Sequence, residues 1–476
     1  MNTTMVEATG RFLHSPGLKF FLLGLLCLVL LIPASLVWLL VSERQDRARD
    51  VAREVAQSWG GSQRIVGPFI IVPYELQVTE ISDGEQVSTT VRREAVFLPD
   101  SLTVDMRAAT EVRSRGIFDV TVFTTDMTLA GRFNAPSQRS ITDEQARFLW
   151  SQARFAVGLS SVRAIRNAVA LNWGDENIPF EPSLGSAISA PGVFTDSRPH
   201  GGSQPRVTMD GIHVPNLFNH GPQSVEFSVN LILNGSESIF LAPAGRDTRA
   251  VMDSNWPHPS FTGGALPERS LINDDGFGAE WSIPHLARAV PLAFDLAGND
   301  YLGRLAQDAF GVRFFQPVDY YALVDRALKY AVLFIGVVFL AVFVIELRAG
   351  KHVHVVQYVF VGLALILFYV LLLSLAEHFG FLTAYLAGGG ATAALIGSYC
   401  ARSMQSAWLG ALVLAIVGAV FGVLYTFLRL EDYALLAGSI FAFIVLAVAM
   451  FLTQKIDWSG RAYRRRAPSD EAMTQA

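Results

Sequence analysis

Tyr330-Ala331-Val332-Leu333-Phe334-Ile335-Gly336-Val337-Val338-Phe339-Leu340-Ala341-Val342-Phe343-Val344-Ile345-Glu346-Leu347 is an apolar run with one ionisable side chain, one residue from its end. A helix needs about 20 mostly apolar residues to cross the hydrocarbon core of a bilayer. Four further runs follow at once: Val355–Ala376, Phe379–Tyr399, Ala407–Leu428 and Tyr433–Leu452. Near the start of the chain Phe20–Val41 is another, without a charge. A cleaved signal peptide is the rival reading of that first run. Its apolar core would be about 7–15 residues long and would end in small residues. Here the run ends Val37-Trp38-Leu39-Leu40-Val41, so an uncleaved anchor is favoured. Six spans result. Glu346 reads as a side chain reaching the interface beside Arg348.

Between the first run and the other five lies sequence of a different texture. Of the 476 residues 51% are hydrophobic and only 17% charged, too apolar for one soluble globular protein and too charged for a wholly embedded one. Eighteen of the 21 prolines fall within residues 42–327, and none between Ala327 and Ala467. The expected organisation is a cytoplasmic N-terminus (1–19), a first span (20–41), a large extracytoplasmic domain (42–327), a bundle of five spans (328–453; 330–347, 355–376, 379–399, 407–428, 433–452) and a basic cytoplasmic tail (454–476).

Ser42–Trp59 is charged and helix-compatible, with Val51, Val55 and Trp59 on one face, and reads as an amphipathic stalk. Beyond Gly60-Gly61, Val91–Leu98, Val120–Leu129 and Val225–Leu233 are rich in β-branched and aromatic residues and read as strands. Asn234-Gly235, between two strand-like runs, is a hairpin signal. Thr142–Ala153 reads as a helix capped by Thr142. Many short strands with Gly- and Pro-rich turns favour a β-rich, sandwich-like domain. The fold class is therefore a polytopic α-helical membrane protein with a β-rich domain inserted between its first and second transmembrane helices.

Lys and Arg in short flanks set orientation. With a cytoplasmic N-terminus the inner flanks hold ten: Arg11, Lys19, Arg348, Lys351, Arg402, Lys455, Arg461, Arg464, Arg465 and Arg466. The short outer loops hold Arg429 alone. Arg44, Arg47, Arg49 and Arg53 follow the first span but begin a long translocated domain, where charge counts for little. Glu43, Asp46, Asp50 and Glu54 stand at i,i+3 or i,i+4 spacings to pair with them.

Chemistry is sparse. Two cysteines, Cys27 and Cys400, lie in or beside apolar runs and exclude a disulfide framework or multi-cysteine zinc site. A net charge of −5 excludes a basic nucleic-acid-binding surface. There is no phosphate-binding Gly-rich loop, zinc helix or nucleophile elbow. The expectation is a non-enzyme without catalytic residues, metal or cofactor. His352 and His354 form a lone pair in a turn, short of the ligands a metal site needs.

The candidates for function are six residues. In Trp256-Pro257-His258-Pro259-Ser260-Phe261, prolines restrict the backbone around His258. The loop either presents His258 and Trp256 to a ligand or packs its aromatics onto the sheet, the favoured reading, and Gly276–Trp281 reads the same way. Arg113 and Arg115, in Arg113-Ser114-Arg115-Gly116, either meet an anionic head group or saccharide or form surface ion pairs, the favoured reading. Glu377-His378, at the outer end of the third span, either belongs to a proton route or places the turn; no second ionisable group at mid-depth favours the route. Ala411, Ala415, Gly418, Ala419 and Gly422, and Ala434, Gly438 and Ala442, form small-residue stripes, read first as packing within the bundle and second as a dimer face. Gly388-Gly389-Gly390 reads as a packing surface or as a helix break.

Several stretches together resemble the CreD family. In the C-terminal half these are Lys329-Tyr330-Ala331, Gln357-Tyr358, Gly362-Leu363-Ala364, Phe368-Tyr369, Leu371–Leu375, Glu377-His378, Ala384-Tyr385 and Leu430–Gly438. In the outer domain they are Gly67-Pro68, Val72-Pro73-Tyr74, Arg115–Phe118, Leu233–Ser236 and Trp256–Phe261. The resemblance covers nearly the whole chain. It implies a bacterial inner-membrane protein of cell envelope integrity, linked to envelope stress and the Cre two-component regulon, and brings no catalytic residue or cofactor. The expected partners are the lipid bilayer and an envelope component (protein, glycan or lipid) met by a periplasmic domain. The alternative function is a transporter or lipid-handling protein using the C-terminal bundle.

The charge bias predicts both termini in the cytoplasm and 42–327 outside. A periplasm-active reporter fused after Gly201 is expected to be active, and one fused after Ala476 silent. The reverse pattern overturns the orientation.

Overall fold

The computed structural model describes residues 16–82, 85–141, 146–184, 210–218, 221–314, 320–430 and 433–454. Thr142, residues before 16 and the basic tail from Lys455 lie outside the described residues. The chain divides into two compact units, Met1–Ala48 with Val318–Ala476, and Arg49–Pro317.

Nine α-helices are described: α1 (Pro16–Val29), α2 (Leu31–Ser58), α3 (Tyr301–Gln307), α4 (Tyr320–Lys329), α5 (Ala331–Ala349), α6 (Val355–Phe379), α7 (Phe381–Ser403), α8 (Ala407–Arg429) and α9 (Ala434–Thr453). Helical bonding continues through Leu30, whose N–H donates to Leu26 O and whose C=O accepts from Ala34. Pro33 has no N–H for the Val29 carbonyl, which is where the ladder loses a rung. Five stretches are long and apolar enough to cross a bilayer: Gly17–Ser58, α5, α6, α7 and α8. The 20-residue α9, without a charged side chain, follows them.

The bundle is held by aromatic packing. Phe368 of α6 meets Tyr385 of α7 edge-on at 5.5 Å and Phe421 of α8 at 4.5 Å. The Tyr385 hydroxyl, buried with them, donates to the Phe421 carbonyl at 2.7 Å. The helices α7 and α8 approach through glycines: a Cβ on Gly410 would stand 2.3 Å from Ala401 Cβ, and one on Gly397 2.7 Å from Leu414 Cβ. This corrects the sequence reading of α8. Its Ala411–Gly422 stripe is exposed, and a Cβ on Gly418 or Gly422 would meet nothing within 4 Å. The face that packs inward is one step round the helix, through Gly410, Val413, Val417, Val420 and Leu424. The Gly388–Gly390 triplet lies within an unbroken α7.

The second unit is a β-sandwich. One sheet has ten strands along the order Pro259–Gly263, Phe310–Phe314, Ser238–Leu241, Gln63–Ser82, Arg154–Leu159, Asp210–Val214, Glu181–Pro182, with Glu85–Phe97, Ala146–Phe148 and Ala293–Asp295 branching from it. The other has eight: Arg269–Asn273, Gly276–Pro284, Asp247–Ser254, Ser101–Arg115, Phe118–Phe133, Val225–Ser236, Ala170–Trp173, Glu176–Pro179. Along Ser101–Arg115 the alternate residues Leu102, Val104, Met106, Ala108 and Thr110 are buried, the period of a strand with one face on a core. Rings from the two sheets meet directly, Phe123 with Phe314 at 5.0 Å, Phe133 with Phe155 at 6.0 Å and Trp281 with Phe310 at 5.5 Å.

Two local expectations are overturned. Asn234-Gly235 makes no hairpin: Val225–Ser236 is one strand, with Asn234 opposite Thr124 and Gly235 opposite Phe123. The chain turns later, at Glu237 (φ 62°), where it leaves one sheet for the other. Gly235 is required by packing, since a Cβ there would stand 2.3 Å from the Phe123 ring. Thr142–Ala153 is not a helix over its described part. Ala146–Phe148 pairs antiparallel with Tyr74–Leu76, and Trp150–Gln152 is a single 3₁₀ turn. Phe148 stacks between Tyr74 (4.9 Å) and Trp150 (5.3 Å), a burial of aromatic surface that outweighs local helix propensity.

Gly235→Ala tests the packing role. Overpacking against Phe123 is expected to cost about 1–3 kcal/mol, read as a lower thermal midpoint of the purified chain. An unchanged midpoint would show that the site has room.

Candidate functional site

Among the described residues of the bundle, the buried acid is Glu346. After its long apolar run α5 ends at Gly350, whose left-handed φ of 60° closes the helix. The turn leads to His354, which caps α6: its Nδ1 accepts from Val356 N at 3.3 Å, and its own N–H donates to Gln357 Oε1 at 3.0 Å. Ser403 of α7 donates to the same Gln357 oxygen at 2.7 Å. This turn lays Val353 and Tyr358 over Glu346. The Tyr358 hydroxyl donates to Oε2 at 2.7 Å and Val353 N to Oε1 at 3.1 Å. Lys19 of α1 completes the site, its ammonium paired with Oε1, donating to Val353 O, and 5.4 Å from the centre of the Tyr358 ring.

The side chain of Glu346 is 3% exposed. This corrects its reading as a residue reaching the interface beside Arg348. Two residues along a helix are about 200° apart, so exposed Arg348 and buried Glu346 face opposite ways. A carboxylate shielded from water is costly unless paired and hydrogen-bonded. Here a cation, a phenol and a backbone amide supply those contacts, so two sequence-distant segments, the start of α1 and the stretch from Glu346 to Tyr358, meet at one oxygen pair.

At the other end of α6, Glu377 and His378 diverge. Tyr321 of α4 donates from its hydroxyl to Glu377 Oε1 at 3.1 Å. Burial, with the Tyr320 and Glu377 side chains beside it, pushes the Tyr321 phenol well above its usual range, so it remains the donor. His378 is exposed and its Nδ1 faces Ser374 O of its own helix at 3.1 Å. The helix α4 gathers further polar contacts: Asp325 accepts from Trp38 Nε1 at 2.9 Å and pairs with Lys329 at 2.7 Å, and Arg326 donates to Leu428 O at 3.1 Å. Among the described residues no group of three metal-ligating side chains forms.

In the sandwich, His258 is exposed while Trp256 packs half-buried against the core. Phe261, on the strand Pro259–Gly263 that follows, meets Phe277 at 5.5 Å and Trp281 at 5.8 Å, both edge-on. Arg113 pairs with Glu111 at 2.7 Å and lies 3.8 Å from the centre of the Trp59 ring. Arg115 pairs with Glu54 at 2.8 Å. The Ser101–Phe133 hairpin thus grips the last turns of α2 and the residue after it, Trp59, which also donates to Phe123 O at 3.3 Å.

The six sequence candidates therefore stand at several separate places. The sequence reading missed Lys19, Tyr358 and Tyr321 as partners. It also missed Arg288, 8% exposed, whose guanidinium donates to Ala244 O at 2.8 Å and to Pro243 O. Burial pushes the Arg288 guanidinium down to about 10, against the opposing charge of Asp308. One signal was available, a single acid inside an apolar run, which asks for a buried partner.

A family model described as Inner membrane protein CreD matches residues 15–459. Inner membrane protein CreD of Escherichia coli (strain K12) is 31% identical over 455 residues, 94% of each chain.

Removing one partner of the buried pair is expected to be costly and removing both less so. Glu346→Met or Lys19→Met alone should destabilise the chain by about 3–5 kcal/mol, and the double variant should recover most of that. Thermal unfolding in detergent measures it. Equal midpoints for wild type, single and double variants would remove the pair from the account.

Proposed function

The chain belongs to the CreD family of inner membrane proteins, and on that premise we propose that it maintains the cell envelope without catalysis, its sandwich binding an envelope component. The observation that carries this reading is the Arg49–Pro317 unit itself, a double sheet with its own core, inserted in a chain whose other unit is a bundle of apolar helices. Such a construction suits a binding scaffold held at a membrane. Among the described residues of α5 to α8, the Asp, Glu, Lys, Arg and His side chains stand at helix ends and α7 is unbroken, which gives a transport pathway no support.

The topology proposed is six spans, both termini in the cytoplasm and the sandwich in the periplasm. The flank bias in Lys and Arg supports it. The Lys19–Glu346 pair independently supports the relative direction of the first two spans. Residues in contact share a membrane face, so the start of the first span and the end of α5 belong on one side.

A strain without the chain is expected to lose tolerance to envelope stress, and the wild-type chain to restore it. A chimera whose Arg49–Pro317 unit is exchanged for an unrelated periplasmic sandwich should insert normally and fail to restore. Full restoration by the chimera would move the function to the bundle.

A further inference from the structure

Edge strands expose unpaired N–H and C=O groups, and proteins blunt them, often with proline. The two strand orders of the sandwich end in four strands. Pro259–Gly263, Glu181–Pro182 and Glu176–Pro179 each carry a proline. The fourth, Arg269–Asn273, has none, and all five of its residues are exposed, whereas the proline-free branch strands Ala146–Phe148 and Ala293–Asp295 are three residues long and each holds a buried phenylalanine. The apolar exposure of the unit gathers there. Among its described residues, the large apolar side chains more than half exposed are Leu266 (70%), Leu271 (69%), Ile272 (52%) and Leu286 (86%). The first three are in or just before this strand, while Leu286 lies past the far end of its neighbour, Gly276–Pro284, away from the paired stretch Gly276–Glu280.

Register shows what is incomplete. Ile272 stands opposite Phe277 and Ser270 opposite Ala279, both core residues, while Leu271 stands opposite Gly278. Ile272 thus lies on the core side of the sheet, and among the described residues no strand beyond it covers it. One more strand would continue the sheet, pair its outer edge and cover Ile272 at once.

The surrounding charge selects the occupant. Glu268, Asp274, Asp275 and Glu280 surround the single cation Arg269. A second copy pairing antiparallel about Leu271 would set Glu268 opposite Asp274, and like charges directly opposite destabilise a sheet. The same acids oppose an anionic bilayer. We propose that the Arg269–Asn273 edge accepts an extended segment of another protein as an added strand, apolar at alternate positions and flanked by Lys or Arg. Main-chain bonds to the edge supply affinity, and Ile272, on the core face, selects the alternate apolar side chains of the added strand. This rests on the sandwich being a binding module and names its partner.

The test uses the full-length chain in nanodiscs and three heptapeptides. One alternates valine and threonine between terminal lysines; the second has terminal glutamates instead; the third is the lysine peptide with a central proline. Amide hydrogen exchange of residues 269–273 is followed by mass spectrometry. The lysine peptide should slow it by about tenfold or more, with little effect from the glutamate or proline peptide and none in Leu271→Lys/Ile272→Lys. Three results would overturn the proposal: no slowing by the lysine peptide, equal slowing by the proline peptide, or slowing without peptide that grows with chain concentration. Restoration assays separate this failure from failure of the wider reading. If Leu271→Lys/Ile272→Lys restores envelope tolerance and the chimera does not, the edge is wrong and the envelope role stands. Restoration by both would remove the binding scaffold as well.

Discussion

A carboxylate shielded inside a helical bundle has to find its hydrogen-bond donors in the protein, because the surrounding hydrocarbon offers none. Glu346 is that carboxylate here. Its two oxygens collect Lys19, Val353 N and Tyr358, which fixes the end of α5, the following turn, the start of α6 and the start of α1 against each other. The cap at His354 and Gln357 holds that turn, and Ser403 ties the end of α7 to it. The apolar faces of these helices admit many packings, since lipid tails are as apolar as leucine. A charge with one set of donors admits far fewer.

The sandwich solves the opposite problem. Its core is largely apolar, so specificity rests mainly on shape: rings from both sheets interlock, and Gly235 leaves the space that Phe123 fills. Its polar side chains pair along the surface, as Arg113 and Arg115 do around the end of α2. Exposed pairs of this kind are worth little singly. The contact of Arg113 with the Trp59 ring adds cation–π attraction and a more definite geometry.

Much of this architecture was legible in the amino-acid sequence, because run length and alternation are local properties. The apolar runs from Tyr330 onward lie on α5 to α9, and Val225–Leu233 lies within one long strand. The misreadings share one cause. Asn-Gly favours a turn in isolation, yet pairing with Phe123 and Thr124 keeps Asn234 and Gly235 extended. Residues around Ala146 look helical in isolation, yet the edge at Tyr74–Leu76 and the ring of Tyr74 draw them into a sheet. In each case a long-range partner decided the local conformation. The site is the extreme instance: the acid is visible in its apolar run, but nothing local to it names a lysine 327 positions away.

That separation has a consequence in time. A ribosome adding about 5–20 residues per second takes roughly 15–65 s to travel the 327 residues from Lys19 to Glu346. Throughout that interval the whole sandwich is made, and Lys19 has no counter-charge. The first helix must therefore persist alone in the bilayer, its ammonium held at the lipid–water boundary, until α5 arrives with the carboxylate. The uncharged run from Phe20 to Val41 is suited to such a wait. Closure of the ion pair then comes late in biogenesis, after the chain's largest folding unit has already been synthesised.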